Sequence, residues 1–172
     1  MCDEMAIRQL TTWVPSEERY VGYVDLGGEL TTDTDKIAKN ALVLMAVGLK
    51  KRWKAPISFH FTAGINAETL SVLLKQSINA LHEIGIQTKC VVTDGLRTNI
   101  AALNNLGCNF ENRKFFFTSE SGKDIPCMMD QVHMMKVLRN LWGDIKIIKG
   151  PHGEAKWSHV EGLIKLQVGN VV

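Results

Sequence analysis

The chain has 172 residues, 45% hydrophobic and 22% charged, the make-up of an ordinary folded protein of one domain or slightly more. Its net charge of only +2 neither requires nor excludes a nucleic-acid partner, so any such case rests on local patches. No apolar run approaches the ~20 residues of a membrane span, and Asp3, Glu4 and Arg8 break up any signal-peptide pattern at the front.

In chain order, residues 20–25 alternate as a short strand, and residues 40–49 (NALVLMAVGL) are apolar on both faces, as in a buried central strand. The basic turn Lys50-Lys51-Arg52 leads into residues 57–63, where Ile57, Phe59 and Phe61 alternate with Ser58, His60 and Thr62. Two such runs around a short polar turn predict a hairpin. Asn66-Ala67-Glu68 opens a helix whose apolar face includes Leu70, Leu73, Leu74, Ile78 and Leu81, with Gly85 as its stop. A strand over residues 89–93 ends at Asp94-Gly95, and a helix over residues 98–106 closes on Gly107. A further strand over residues 125–129 ends in Asp130, followed by a helix over residues 131–142. A hairpin followed by strand–helix units predicts an α/β sheet of mixed direction, in which the strand ending at Asp94 runs parallel to its neighbour. Residues 145–149 form a short apolar and basic run that Gly150-Pro151-His152-Gly153 interrupts. Residues 157–167 then read as a helix whose apolar face (Trp157, Val160, Leu163, Ile164) lacks an evident partner.

Chemistry in open α/β sheets gathers at the carboxyl ends of strands. Asp94 and Asp130 sit at such ends, and Asp3 is a third acid near the front. Converging carboxylates are what divalent cations need for work on phosphodiesters. An Asp-Gly after a strand is more often a turn residue or helix cap than a metal ligand, and Asp130 is placed to cap the helix that follows it. Lys50, Lys51, Arg52 and Lys54 around Trp53 make the densest basic cluster, either a DNA-backbone contact or a solvated turn. His133, Lys136 and Asn140 share a helix stripe, either a polar face or support for a site. Cys2, Cys90, Cys108 and Cys127 form no C-x-x-C pair, and are expected as reduced thiols in an intracellular protein.

The strings CDEMAIR, YVGYVDLG, KKRWKAPISFHF, NAETLSVLLKQSINALHEIGI, CVVTDGLRTN, IPCMMDQVHMMKVLRNLW and WSHVEGLIKLQ, in this order, resemble the P element transposases, including the THAP-domain members of animals. That resemblance implies an RNase H-like mixed α/β sheet with flanking helices, interrupted by a helical GTP-binding insertion domain. It places the front of the RNase H-like domain in residues 1–142 and the start of the insertion in residues 143–172. It implies Asp3 and Asp94 as catalytic, magnesium-holding acids, with Asp130 and His133 as supporting residues in the D-x-x-H string. It also implies transposon-end DNA as substrate, GTP in the intact parent, assembly with full-length transposase subunits, and a nuclear location.

Three departures stand against this pattern. The strand expected to carry Asp3 has few residues before it, which predicts weak anchoring. Residues 168–172 (VGNVV) do not continue the family pattern, and no zinc-coordinating DNA-binding segment precedes Asp3. The family's third acid, a glutamate, lies beyond the insertion, so the chain alone is expected to be an incomplete enzyme. Two other readings stay open at this point. One is a non-catalytic derivative that binds DNA or transposase subunits, and the other a phosphohydrolase with Asp94 as nucleophile.

Overall fold

The computed structural model describes residues 1–30 and 35–169. The polypeptide divides into two compact units, Met1–Asp130 and Gln131–Val172. In chain order the first unit holds β1 (Cys2–Ala6), β2 (Thr12–Val14), β3 (Arg19–Val21), β4 (Asn40–Val47), β5 (Lys54–Thr62), α1 (Ala67–Glu83), β6 (Val91–Thr93), α2 (Arg97–Asn105), β7 (Phe116–Thr118) and β8 (Asp124–Met129).

Two three-stranded ladders carry this unit. One runs β1-β4-β5, antiparallel throughout, and the other β6-β8-β7, with β6 parallel to β8 as expected and β7 antiparallel to it. β1 packs beside β6, which brings the two ladders together. β4 is the central strand of its ladder: Leu42 and Leu44 on one face and Ala41 on the other are buried, whereas Val47 at its end is exposed. The face of Leu42 and Leu44 meets α1 and α2. Leu70, Leu73 and Leu74 of α1, Ala102 and Leu103 of α2, and Val91, Phe117, Ile125 and Cys127 of the second ladder share one core with Cys2, Leu42 and Leu44.

Local chemistry fixes the two helices. Asn66 accepts a hydrogen bond from the Thr69 amide at 2.7 Å, satisfying one of the amides a helix start leaves open. At the other end of α1, Gly85 N–H bonds His82 O and Ile86 N–H bonds Leu81 O, the paired closure that a left-handed glycine makes possible. α2 ends the same way: Gly107, at φ 114°, bonds Asn104 O, and Cys108 N–H bonds Leu103 O.

Several elements differ from expectation. The strand expected over residues 20–25 is regular only over Arg19–Val21, where it pairs with the unpredicted β2. Beyond it, Tyr23 and Asp25 make single bridges to Ile37 and Phe61. The break falls at Gly22, where a side chain would come within 2.1 Å of the Leu10 carbonyl oxygen. β5 starts at Lys54 rather than residue 57, because the register slips between Leu44 and Met45 and sets Pro56 opposite Met45. Proline has no amide to give a ladder, so it sits where pairing is irregular. β7 was unpredicted. The weak anchoring expected for Asp3 is overturned, since all five residues of β1 pair with β4, from Cys2–Leu44 to Ala6–Asn40.

The second unit comprises α3 (Gln131–Ile145), β9 (Ile147–Gly150), β10 (Gly153–Lys156) and α4 (Trp157–Gly169). The Gly150-Pro151-His152-Gly153 break is the turn of an antiparallel β9–β10 hairpin. The face of α4 is not wholly without a partner: Trp157 stacks edge-on against Trp142, ring centroids 5.3 Å apart, and Trp142 Nε1 donates to Ala155 O. Leu163 and Ile164 remain exposed. Of the tail that departs from the family pattern, Val168 and Gly169 complete α4, and residues 170–172 lie outside the described residues. Among the described residues, no helix is long and apolar enough to cross a membrane.

Candidate active site

Asp94 is the first residue after β6. Its Oδ1 accepts from the Leu96 amide at 3.0 Å and from Asn99 Nδ2 at 2.5 Å, closing the turn into α2. Asn99 is buried, so the aspartate is held by a group that has little solvent to turn to. Asp94 is thus a turn acceptor through one oxygen, as one reading of the sequence expected. Among the described residues, its other oxygen accepts no hydrogen bond, which leaves it available to a ligand.

Asp3 is the second residue of β1, with Oδ1 accepting from the Glu4 amide at 2.9 Å. Glu4 in turn accepts from Thr62 Oγ1 at 2.7 Å, which ties the start of β1 to the end of β5. Asp3, Glu4 and Asp94 line one cleft of about 50 Å³, walled by Cys2, Leu42, Ile65, Leu96, Thr98 and Asn99. That volume is room for a few water molecules or a small ion. Carboxylate oxygens are the donors a hard cation such as magnesium takes. The fit is partial, because among the described residues no three His, Cys, Asp or Glu side chains form a group able to hold a metal.

The structure brings Asp3 and Asp94 to one cleft. Asp130 N–H donates to Thr93 O at 2.6 Å, continuing the parallel pairing of Thr93 with Met129, so the backbones of Asp94 and Asp130 lie level at adjacent strand ends. Asp130 does not line the cleft. His133 lies on α3, in the second unit. Lys50, Lys51, Arg52 and Lys54 are all exposed at the β4–β5 turn, where Gly48 N–H bonds Trp53 O and the Trp53 ring lies against Gly48. Val47 pairs with Lys54 and Val43 with Asp3, so this turn begins roughly 13 Å along the strand from the Asp3 position. Sequence reasoning missed Asn99 and Glu4. Asn99 stands within the string CVVTDGLRTN, but nothing local marks it as the partner of Asp94.

The cleft leaves an electrostatic mark on its neighbour. Burial pushes the Cys2 thiol up to about 12, with Asp94, Asp3 and Glu4 adding to the rise and the amino terminus opposing it. Burial likewise raises Cys108 and Cys127. In the unfolded chain these thiols ionise near the ordinary value of about 8.5, so above that pH the unfolded state sheds protons that the native state keeps. Their contribution to stability is therefore full below about 8.5 and is lost as pH climbs towards the native values. The urea midpoint is expected to fall between pH 8 and pH 10, and Cys2→Ala to flatten that fall. An identical pH dependence in wild type and variant would contradict it.

Comparison with known proteins places this arrangement. Residues 1–107 match the family model of the TNP-like RNase H N-terminal domain, and residues 132–172 that of the TNP-like GTP-binding insertion domain. Human DNA transposase THAP9 is 27% identical over 168 residues, covering 95% of this chain and 19% of that protein. The Drosophila melanogaster transposable element P transposase is 29% identical over 97 residues, covering 56% of this chain and 12% of that one. Among solved structures, the Drosophila P element transposase strand transfer complex matches with a TM-score of 0.68 at 20% identity, over 96% of this chain and 33% of that chain. This chain therefore spans less than a fifth of the curated relatives it matches.

Proposed function

We infer function from one premise: the chain belongs to the TNP-like family of P element-type transposases, with an RNase H-like α/β domain followed by the beginning of a GTP-binding insertion domain. On that premise we propose that it takes part in cleavage and strand transfer at transposon-end DNA. The observation that carries this is the convergence of Asp3, from β1, and Asp94, from the end of β6, on one cleft.

In this reading Asp3 and Asp94 hold magnesium through the oxygens left over from their local hydrogen bonds. Magnesium in such a site supplies charge stabilisation at the attacking and leaving oxygens of the phosphodiester. Asn99 positions Asp94, and Glu4 and Thr62 hold the start of β1 in place. Asp130 supports the site from the adjacent strand end. The insertion, matched over residues 132–172, carries the GTP-linked function in the intact parent. Nuclear location and assembly with full-length transposase subunits complete the proposal. The family relationship does not favour the non-catalytic alternative.

A transposase of full family length that carries this segment and the third acid is expected to nick a transposon-end duplex in magnesium. Asp3→Asn should abolish that nicking. Cleavage undiminished by Asp3→Asn would overturn the assignment.

We further assign Lys50, Lys51, Arg52 and Lys54 to the DNA backbone flanking the cleft. Changing all four to glutamine is expected to weaken DNA binding alike for all sequences. The slope of log K against log salt should become shallower by roughly 0.9 for each phosphate that the variant no longer neutralises. A slope equal to that of the wild type would reduce the cluster to a solvated turn.

A further inference from the structure

Cys108 and Cys127 lie outside the cleft and take no part in the proposed chemistry, yet their sulfurs meet in the core. Cys108 follows the turn that ends α2, and Cys127 sits within β8. Both side chains are buried, and Cys108 Sγ lies 3.5 Å from Cys127 Sγ across nineteen residues of chain. Both are free thiols. A disulfide needs its sulfurs at ~2.05 Å, so the pair must close by roughly 1.5 Å. Cys108 stands just past the glycine turn that ends α2, outside the helix itself.

We propose that Cys108 and Cys127 are a redox pair that a hydroperoxide converts to an intrachain disulfide. One sulfur, as thiolate, attacks the terminal peroxide oxygen; the O–O bond breaks, giving a sulfenic acid and releasing the alcohol, or water from hydrogen peroxide. The second sulfur then attacks the sulfenic sulfur, forming the S–S bond and expelling hydroxide, which leaves as water with the second thiol's proton. The two cysteines together lose two electrons and the hydroperoxide gains them.

The consequence lies beside the site. α2 carries Asn99, the holder of Asp94, and β8 pairs with β6, the strand that ends at Asp94. The bond would tie these two elements covalently, from the far end of α2. Because burial raises both thiols, thiolate is scarce at neutral pH, and the reaction should quicken about tenfold per pH unit up to their ionisation.

The test uses the whole folded chain, treated with hydrogen peroxide, then unfolded with an alkylating agent and mapped by mass spectrometry. The expected result is a Cys108–Cys127 peptide pair lighter by two hydrogens, reversed by dithiothreitol. Cys90 lies close enough to influence Cys127 electrostatically, so Cys90→Ser should leave the yield unchanged, whereas Cys108→Ser should abolish it. Full alkylation of both cysteines after peroxide treatment, or pairing of either with Cys90, would overturn the proposal. The wild-type map decides the question even where a serine variant does not fold.

Discussion

Asp94→Asn is expected to leave the fold intact while removing divalent-cation binding, whereas Asp94→Ala should damage both. The reason lies in the division of labour between the two oxygens of Asp94. Oδ1 accepts from Leu96 N–H and from Asn99 Nδ2, and an asparagine side chain offers an oxygen at the same place. The variant therefore keeps the turn and the start of α2, and its stability should stay within about 0.5 kcal/mol of wild type. What it loses is the charge and the second oxygen, so DNA cleavage by a full-length protein should fall on the order of 10³-fold, the scale of deleting one preorganised electrostatic group. Alanine removes the acceptor as well. It leaves the Leu96 N–H and the buried Asn99 amide without their acceptor, at a cost of about 1–2 kcal/mol. Equal loss of stability in both variants would show that Asp94 is no more than a helix-start residue.

The largest effect on stability is expected at Leu103. It is 1% exposed at the centre of the core that α1, α2 and both ladders share. Leu103→Ala should destabilise the first unit by about 2–5 kcal/mol, combining lost burial with the cavity left behind. Leu49→Ala, at a side chain 79% exposed, should cost under about 0.5 kcal/mol. A small effect at Leu103 would mean that the helices do not rest on the sheet as described. Urea unfolding followed by the circular dichroism of the helices reads both variants.

Elements written in local chemistry were legible in the sequence. Asn66 and Gly85 bound α1 because capping depends on residues a few positions away, and the leucine spacing names the buried face. β6 and β8 read correctly as compact apolar runs that end in acids. β2 and β7 did not, since each is defined by its pairing with β3 and β8 rather than by a local pattern. The same physics explains the misjudged anchoring of Asp3. The partners of β1 lie in β4, far along the chain, and nothing near Asp3 announces them. At the site, strand-end placement made Asp94 visible. Asn99 and Glu4 stayed hidden because their partners, Asp94 and Thr62, become evident only once the chain has folded.

The central claim is that Asp3 and Asp94 form one divalent-cation site, and manganese titration of the isotope-labelled chain, followed by NMR, tests it most directly. Paramagnetic broadening is expected to begin at Cys2, Asp3, Glu4, Asp94 and Asn99, to spare the exposed acids Glu120 and Asp124, and to be displaced by magnesium. Broadening that starts at Glu120 or Asp124, or that leaves Asp3 and Asp94 untouched, would contradict the account.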